Sequence, residues 1–143
     1  MEAKIASIYI DGAARGNPGI AGIGVLITDA KNQKLSALHK FIGVATNNTA
    51  EYTACIYALQ QALILGLKEI VLYSDSELLV KQLNGEYRVK NENLLTFYEQ
   101  FQHLKTGFAR LEVKQIAREE NKEADKLANK AIDSRIDSSL KNS

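Results

Sequence analysis

Four acidic residues stand out by their place in the local pattern: Asp11, Glu51, Asp75 and Asp125. Asp11 ends the run Tyr9-Ile10-Asp11, and Asp75 ends Tyr73-Ser74-Asp75 in the same way. If the two runs are neighbouring parallel strands, both carboxylates emerge at the carboxyl edge of a sheet, where α/β proteins bind ligands. Glu51 falls in the first turn of a helical pattern and shares a face with Ala54, Cys55 and Ala58, which points it at the sheet. Asp125 lies one turn into the last helical pattern, beside Ala124, Leu127, Ala128 and Ala131. Four carboxylates in one place repel and raise one another's pKa values unless cations sit among them. Oxygen ligands without His or Cys suit Mg²⁺ or Mn²⁺ rather than zinc. Two such ions about 4 Å apart can hold both the attacking and the leaving oxygen of an in-line phosphodiester displacement. Phosphoryl transfer is therefore the natural chemistry. Each acid alone also has a plainer reading: a turn residue at Asp11, a helix cap at Asp75, a dipole complement at Glu51, a solvated charge pattern at Asp125. Their joint placement favours a site.

The elements that must position them follow from periodicity and punctuation. A strand is expected over 3–11, then a turn-rich segment Gly12-Ala13-Ala14-Arg15-Gly16-Asn17-Pro18-Gly19 that holds the only proline. Strands over about 20–28 and 35–43 are joined by a short polar connection, which makes the first three strands a meander. Thr46-Asn47-Asn48-Thr49 offers helix caps ahead of an apolar-periodic helix over about 50–65, ended by Gly66. Ala54, Cys55, Ala58 and Ala62 give that helix a stripe of small side chains suited to a sheet. Residues 69–74 read as a strand covered on both faces, and a helix is expected over 76–84. Leu94, Leu95, Tyr98, Phe101 and Leu104 set a helix over 93–105. A last strand over 109–117 and a last helix over 121–132 complete the order. Strands opening as a meander and closing with helix-linked strands imply an α/β mixed sheet with helices on both faces.

A chain of 143 residues, 45% hydrophobic and 24% charged, holds one domain with a real core. The expected division is a catalytic domain over 1–132 and a flexible C-terminal tail over 133–143, rich in Ser, Asn and Lys. Cys55 is the single cysteine, so no disulfide framework or cysteine metal site forms within one chain, which fits a cytoplasmic location. No apolar run reaches the length of a membrane span. A net charge of +1 argues against a general polyanion binder, so nucleic-acid contact must be local and shaped. Nothing demands more than a monomer.

Over residues 5–132 the sequence resembles type 1 ribonuclease H. The motifs are Tyr9-Ile-Asp-Gly-Ala-Ala-Arg-Gly-Asn-Pro-Gly19, Thr46-Asn-Asn-Thr-Ala-Glu51, Tyr73-Ser-Asp-Ser76 and Asn121-Lys-Glu-Ala-Asp-Lys-Leu-Ala128. Four matches in order, each at an expected structural junction, are far more specific than one. The resemblance implies a ribonuclease H-like fold, a five-stranded mixed sheet with three antiparallel strands followed by two parallel ones. It implies that Asp11, Glu51 and Asp75 bind a pair of Mg²⁺ ions, with Mn²⁺ as a substitute, and that Asp125 completes the site. The implied activity is endonucleolytic hydrolysis of the RNA strand of an RNA–DNA hybrid by an activated water, leaving a 5′-phosphate and a 3′-hydroxyl. Gly12, Ala13, Asn17, Asn47 and Asn48 are implied to touch the shallow minor groove, where a hybrid shows its 2′-hydroxyls. Thr46 and Asn91 resemble the pair that holds a phosphate of the DNA strand.

Three departures from the family pattern matter. The segment Gln115-Ile-Ala-Arg-Glu-Glu-Asn-Lys-Glu-Ala124 lacks the catalytic histidine that many members carry, and Arg118 stands nearest. An arginine cannot shuttle protons at neutral pH but can stabilise charge. His39 and His103 read as structural or surface residues. The region 84–93 carries only Arg88 and Lys90, and the chain has no tryptophan, where some bacterial members have a basic, tryptophan-containing protrusion. Weaker, more salt-sensitive binding is expected. Glu77 and Val44 stand where a glutamine and a basic residue often contact substrate. The pattern is similar to a compact branch in which arginine replaces the loop histidine and some members also cleave double-stranded RNA. Two other readings stay open: a nuclease of the same fold acting on DNA, and a catalytically silent hybrid-binding module.

Overall fold

The computed structural model describes residues 5–141, so the expected strand start at residue 3 and the last two residues of the expected tail lie outside the described residues. The order is β1 (Ile5–Gly16), β2 (Gly19–Thr28), β3 (Lys34–Ala45), α1 (Asn47–Ile64), β4 (Glu69–Ser74), α2 (Glu77–Leu83), α3 (Glu92–Lys105), β5 (Arg110–Gln115) and α4 (Lys122–Lys141), with a short 3-10 turn at Arg118–Glu120 before α4. The strands form one five-stranded sheet in the order β3-β2-β1-β4-β5. β1, β2 and β3 pair antiparallel, whereas β4 runs parallel to both β1 and β5. The expected mixed sheet is therefore the observed one.

Strand alternation divides the two faces. Ile8 and Ile10 of β1 and Ile23, Val25 and Ile27 of β2 are fully buried, in one cluster with Tyr52, Ala54, Cys55, Ala58, Leu59 and Ala62 of α1. The small-residue stripe lets α1 lie close on the sheet, and α3 adds Leu94 and Phe101 to the same core. The other face belongs to α4. Gly22 and Gly24 open the surface of β2 to it, since a Cβ at Gly24 would stand 2.7 Å from Leu127 Cβ and one at Gly22 3.0 Å from Ala131 Cβ. Ala124, Ala128 and Ala131 of α4 are buried there.

Several boundaries differ from expectation, among them the start of α1, which lies at Asn47 rather than near residue 50. β1 does not end at Asp11 but continues to Gly16, because the supposed turn segment pairs residue by residue with β2 out to Gly16–Gly19. The two glycines close a tight hairpin, with Gly16 at a φ of 106° that L-residues disfavour. β5 stops at Gln115, and the chain turns through the 3-10 segment before α4. The last helix does not stop at 132. It runs to Lys141, so the segment read as a tail is helical that far.

Candidate active site

The parallel pairing of β1 and β4 ends at Tyr9 and Tyr73, whose rings stack with centroids 5.0 Å apart. Two residues beyond that pair, Asp11 and Asp75 stand side by side at the carboxyl edge. Asp11 lies opposite Gly24 of β2, on the face covered by α4. Ser76 is the cap of α2, accepting from the Leu79 N–H at 3.2 Å, and the Ser76 N–H donates to Ser74 Oγ at 3.0 Å. Asp75 is thus not the cap, and its carboxylate is left for the cleft.

Glu51 arrives from the other face. Thr46 caps α1, its Oγ1 accepting from the Thr49 N–H at 3.1 Å. Because the helix already starts at Asn47, Glu51 lies in its second turn rather than the expected first, where it is carried down beside β1. There the Gly12 N–H donates to Glu51 Oε1. Gly12 has to be glycine for this approach, since a Cβ would overlap the main chain of Ala50 and Glu51. Glu51 is only 8% exposed and Asp11 7%, so neither serves as a solvated helix-dipole partner or a turn residue. Asp11, Glu51 and Asp75 each offer an oxygen within 4.8 Å of the others. Asp125 is exposed at the rim and outside that tight group, although its charge reaches Asp11. Asn129 Nδ2 donates to the Asp125 carboxylate at 3.3 Å.

Crowding and burial set the electrostatics. Burial first, then the charges of Asp75 and Asp125, push the Asp11 pKa up to about 8, against an opposing pull from Arg118. Burial, with Asp11 next, holds Glu51 well above the ordinary carboxylate range despite the Gly12 N–H, which favours its charged form. A pocket in which acids resist losing their protons is one in which a divalent cation restores the ionised form. The donors are all carboxylate oxygens, with no His or Cys among them, so the site fits hard ions such as Mg²⁺ or Mn²⁺.

The cleft, of about 480 Å³, is lined by Asp11, Glu51, Asp75 and Asp125 together with Gly12, Ala13, Ala14, Asn47, Asn48, Ser76 and Arg118. Asn17 stands behind it. Its Oδ1 accepts from the Asn47 N–H at 3.1 Å, and Asn47 Oδ1 accepts from the Ala14 N–H at 3.2 Å, which ties the β1–β2 hairpin to the start of α1. Arg118 reaches the cleft from the 3-10 turn and makes no ion pair among the described residues, so it is not spent on Glu119 or Glu120. His39 and His103 are exposed and line no part of the cleft. Thr46 lines a neighbouring hollow with Val44, Thr49, Asn93, Thr96 and Phe97. Asn91 is not among its lining residues: Asn91 Oδ1 caps α3, accepting from the Asn93 N–H at 2.8 Å and the Leu94 N–H at 3.3 Å.

Two side chains beside the carboxylates carry no role in the sequence reading. Ser76 lines the cleft, and Asn121 donates to Asp75 Oδ2 at 2.9 Å. Both sit in cap positions, where an ordinary helix-start role hides any other. The signal for Asn121 was its place four residues before Asp125.

Residues 9–131 match the protein family described as reverse transcriptase-like. A bifunctional protein of Mycobacterium tuberculosis is 42% identical over 127 residues, which is 88% of this chain but 35% of that protein's length. Thus the chain spans about a third of the length of the first curated relatives it matches. The crystal structure of RNase H1 from Halobacterium salinarum superposes with a TM-score of 0.89 at 38% identity, covering 91% of this chain and 98% of that one. The chain belongs to the type 1 ribonuclease H family. LC11-RNase H1, solved in complex with an RNA/DNA hybrid, is similar at 43% identity and a TM-score of 0.88, covering 92% of this chain and 99% of its own. In this ribonuclease H chain the α2–α3 connection is the short segment 84–91, and the loop before α4 presents Arg118. No helix among its described residues is long and apolar enough to cross a membrane.

Proposed function

We propose that this chain is an endonuclease that hydrolyses the RNA strand of RNA–DNA hybrids with two Mg²⁺ ions, for which Mn²⁺ can substitute, and that it acts as a monomer in the cytoplasm. The observation that carries this reading is the convergence of Asp11, Glu51 and Asp75 to within 4.8 Å at the sheet edge. Asp11, Glu51 and Asp75 would hold the ions, with Asp125 completing the set from the rim. When bound, the ions supply Lewis-acid stabilisation of the attacking and leaving oxygens. Water adds to the phosphorus, the bond from phosphorus to the 3′ oxygen breaks, and that oxygen takes a proton. The products are a 5′-phosphate and a 3′-hydroxyl. Arg118 lies where its cation can offset charge gathering on the phosphate.

Substrate is held by shape. Gly12, Ala13, Asn47 and Asn48 line the cleft and Asn17 braces them, a polar edge suited to the 2′-hydroxyls of a minor groove. The side-chain oxygens of Asn17 and Asn47 are taken by main-chain N–H groups, so their amide NH₂ groups are the ones free to donate. Thr46 and Asn91 contribute the phosphate contact to the DNA strand. A hybrid in complex with the similar LC11-RNase H1 supports this substrate class. Double-stranded RNA, which shows the same 2′-hydroxyls, is a second substrate of this shape-read site.

Cleavage of end-labelled hybrid, double-stranded RNA and DNA duplexes, with Mg²⁺ or with EDTA, tests the reading. Hybrid cut in the RNA strand only with the metal, with 5′-phosphate ends, is the expected result. Binding without cutting would leave a silent binding module, and preference for DNA duplex would assign another substrate.

A further inference from the structure

Asn121 is 1% exposed and sits between the 3-10 turn and α4. Its Nδ2 donates to the main-chain oxygen of Ile10 at 2.8 Å and to Asp75 Oδ2 at 2.9 Å. Its own main-chain oxygen accepts from the Asp125 N–H at 3.1 Å. One residue therefore joins β1 just before Asp11, the carboxylate that follows β4, and the helix that bears Asp125. The amide is oriented by these bonds, because reversing it would set an oxygen against two acceptors. That orientation leaves Asn121 Oδ1 buried without a partner among the described residues, an arrangement that is costly unless it serves the donor side of the amide. Few side chains can replace it: aspartate has no proton to give, and serine has one.

We propose that Asn121 is a positioning residue for the metal site, engaging one oxygen of Asp75 so that the other stays uncommitted for a divalent ion. Hydrogen bonds to ligating carboxylates orient them, and losing such a partner typically costs 10–100-fold in metal affinity or activity. A simple core amide would change stability alone. The proposal rests on the reading above for its cleavage arm and is independent of it for metal binding.

The test uses the full chain as wild type, Asn121→Ala and Asn121→Asp. Asn84→Ala is the stability control, since the Asn84 amide donates to the Val113 main-chain oxygen at 3.1 Å and lines no part of the cleft. Mn²⁺ alone is titrated by calorimetry, and hybrid cleavage is measured across Mg²⁺ concentrations. Asn121→Ala should weaken Mn²⁺ binding by about 10-fold or more and raise the Mg²⁺ needed for half-maximal cleavage to match, while KM for hybrid at saturating Mg²⁺ stays within about 2-fold. Asn121→Asp should also be impaired in positioning, since an ionised carboxylate there has no proton to give and repels Asp75 instead of holding it. Mn²⁺ affinity and Mg²⁺ midpoint in both variants matching Asn84→Ala would overturn the proposal. If Asn121→Ala does not fold, Asn121→Leu, which keeps the volume and has no donor, is read against the same criterion. Wild-type protein that binds Mn²⁺ without cutting hybrid would defeat the functional reading while the Mn²⁺ comparison still decides Asn121. A wild type that binds no Mn²⁺ would overturn both.

Discussion

The main-chain N–H of Gly12 donates to the carboxylate of Glu51, 39 positions further along the chain. This bond fixes a helix from one face of the sheet against a strand whose Asp11 side chain serves the other face. It works only while residue 12 lacks a Cβ, because any side chain there would strike the main chain of Ala50 and Glu51. Gly12→Ala should therefore destabilise the fold by about 1–3 kcal/mol, the usual range for overpacking. It should also lower kcat/KM by about 10-fold or more, because the carboxylate is pushed from its place. Thermal melts and steady-state kinetics check the pair, and a variant normal in both would mean that α1 is not seated so closely.

Asp11→Asn separates folding from catalysis. The folded pKa of Asp11, about 8, lies above the unfolded value of about 3.9, so the fold favours its protonated form. In metal-free protein the resulting stabilisation is complete below about pH 4 and is lost as pH rises toward 8. Glu51, also raised, acts with the same sign. Metal-free wild type should lose Tm between about pH 5 and pH 8, and Asp11→Asn should reduce that loss, being more stable by several degrees at the upper end. Turnover should vanish in the variant. Mg²⁺ at the upper pH should raise the wild-type Tm more than the variant's, since it relieves a repulsion that the variant lacks. Parallel pH profiles for the two metal-free proteins would contradict the crowding of charge at Asp11.

How much of this was legible in sequence depended on whether the deciding interaction was local. Asp11 and Asp75 could be placed because the matching runs Tyr9-Ile10-Asp11 and Tyr73-Ser74-Asp75 sit at the same point of two paired parallel strands, and Glu51 because it shares a helix face with Ala54, Cys55 and Ala58. The length of β1 could not, since Gly12-Ala13-Ala14-Arg15-Gly16 has turn composition and becomes a strand only through its pairing with β2. Leu95 fits the apolar spacing of α3 yet is 38% exposed, because spacing alone does not say how wide the covered face is. Asn121 entered only as the first residue of the last helix and of its motif, and its bonds to Ile10 and Asp75 are contacts across 111 and 46 positions. Asp125 was placed on the right helix, but that it lines the cleft while staying exposed and outside the tight group of three depends on how α4 packs on the sheet, which no spacing encodes.

Arg118 should matter to rate rather than to metal binding. It lines the cleft and opposes the rise in pKa at both Asp11 and Glu51, so its charge is felt there. Arg118→Ala should slow single-turnover cleavage by about 10–100-fold, below the effect of losing a buried oxyanion donor because the side chain is exposed. Mn²⁺ affinity should hold within about 2-fold, as carboxylates remain the ligands. Arg118→Lys should recover part of the rate. Unchanged steady-state and single-turnover rates in Arg118→Ala would make it an ordinary surface arginine.

Removing residues 133–143 tests whether that segment is a dispensable tail. Arg15 pairs with Asp133 at 2.7 Å and also donates to Asn129 Oδ1 at 3.2 Å, while Asn129 in turn donates to Asp125. Two residues on, the Arg135 guanidinium lies over the Phe41 ring, 5.4 Å from its centroid. An exposed ion pair contributes at most about 1 kcal/mol and an exposed cation–π contact about 0.5–1 kcal/mol, so a chain ending at Ile132 should lose about 1–2 kcal/mol. That is a few degrees in Tm for a domain of this size. Because Arg15 then loses one of its two anchors on α4, Asn129 and Asp125 are held less firmly and the cleavage rate should fall modestly as well. Asp133→Ala in the full chain should reproduce the rate effect with a smaller loss of stability, since the Arg135–Phe41 contact remains. If the shortened chain melts and cuts like the full one, the helical continuation of α4 is only an appendage, and the domain ends at 132 as its composition first suggested.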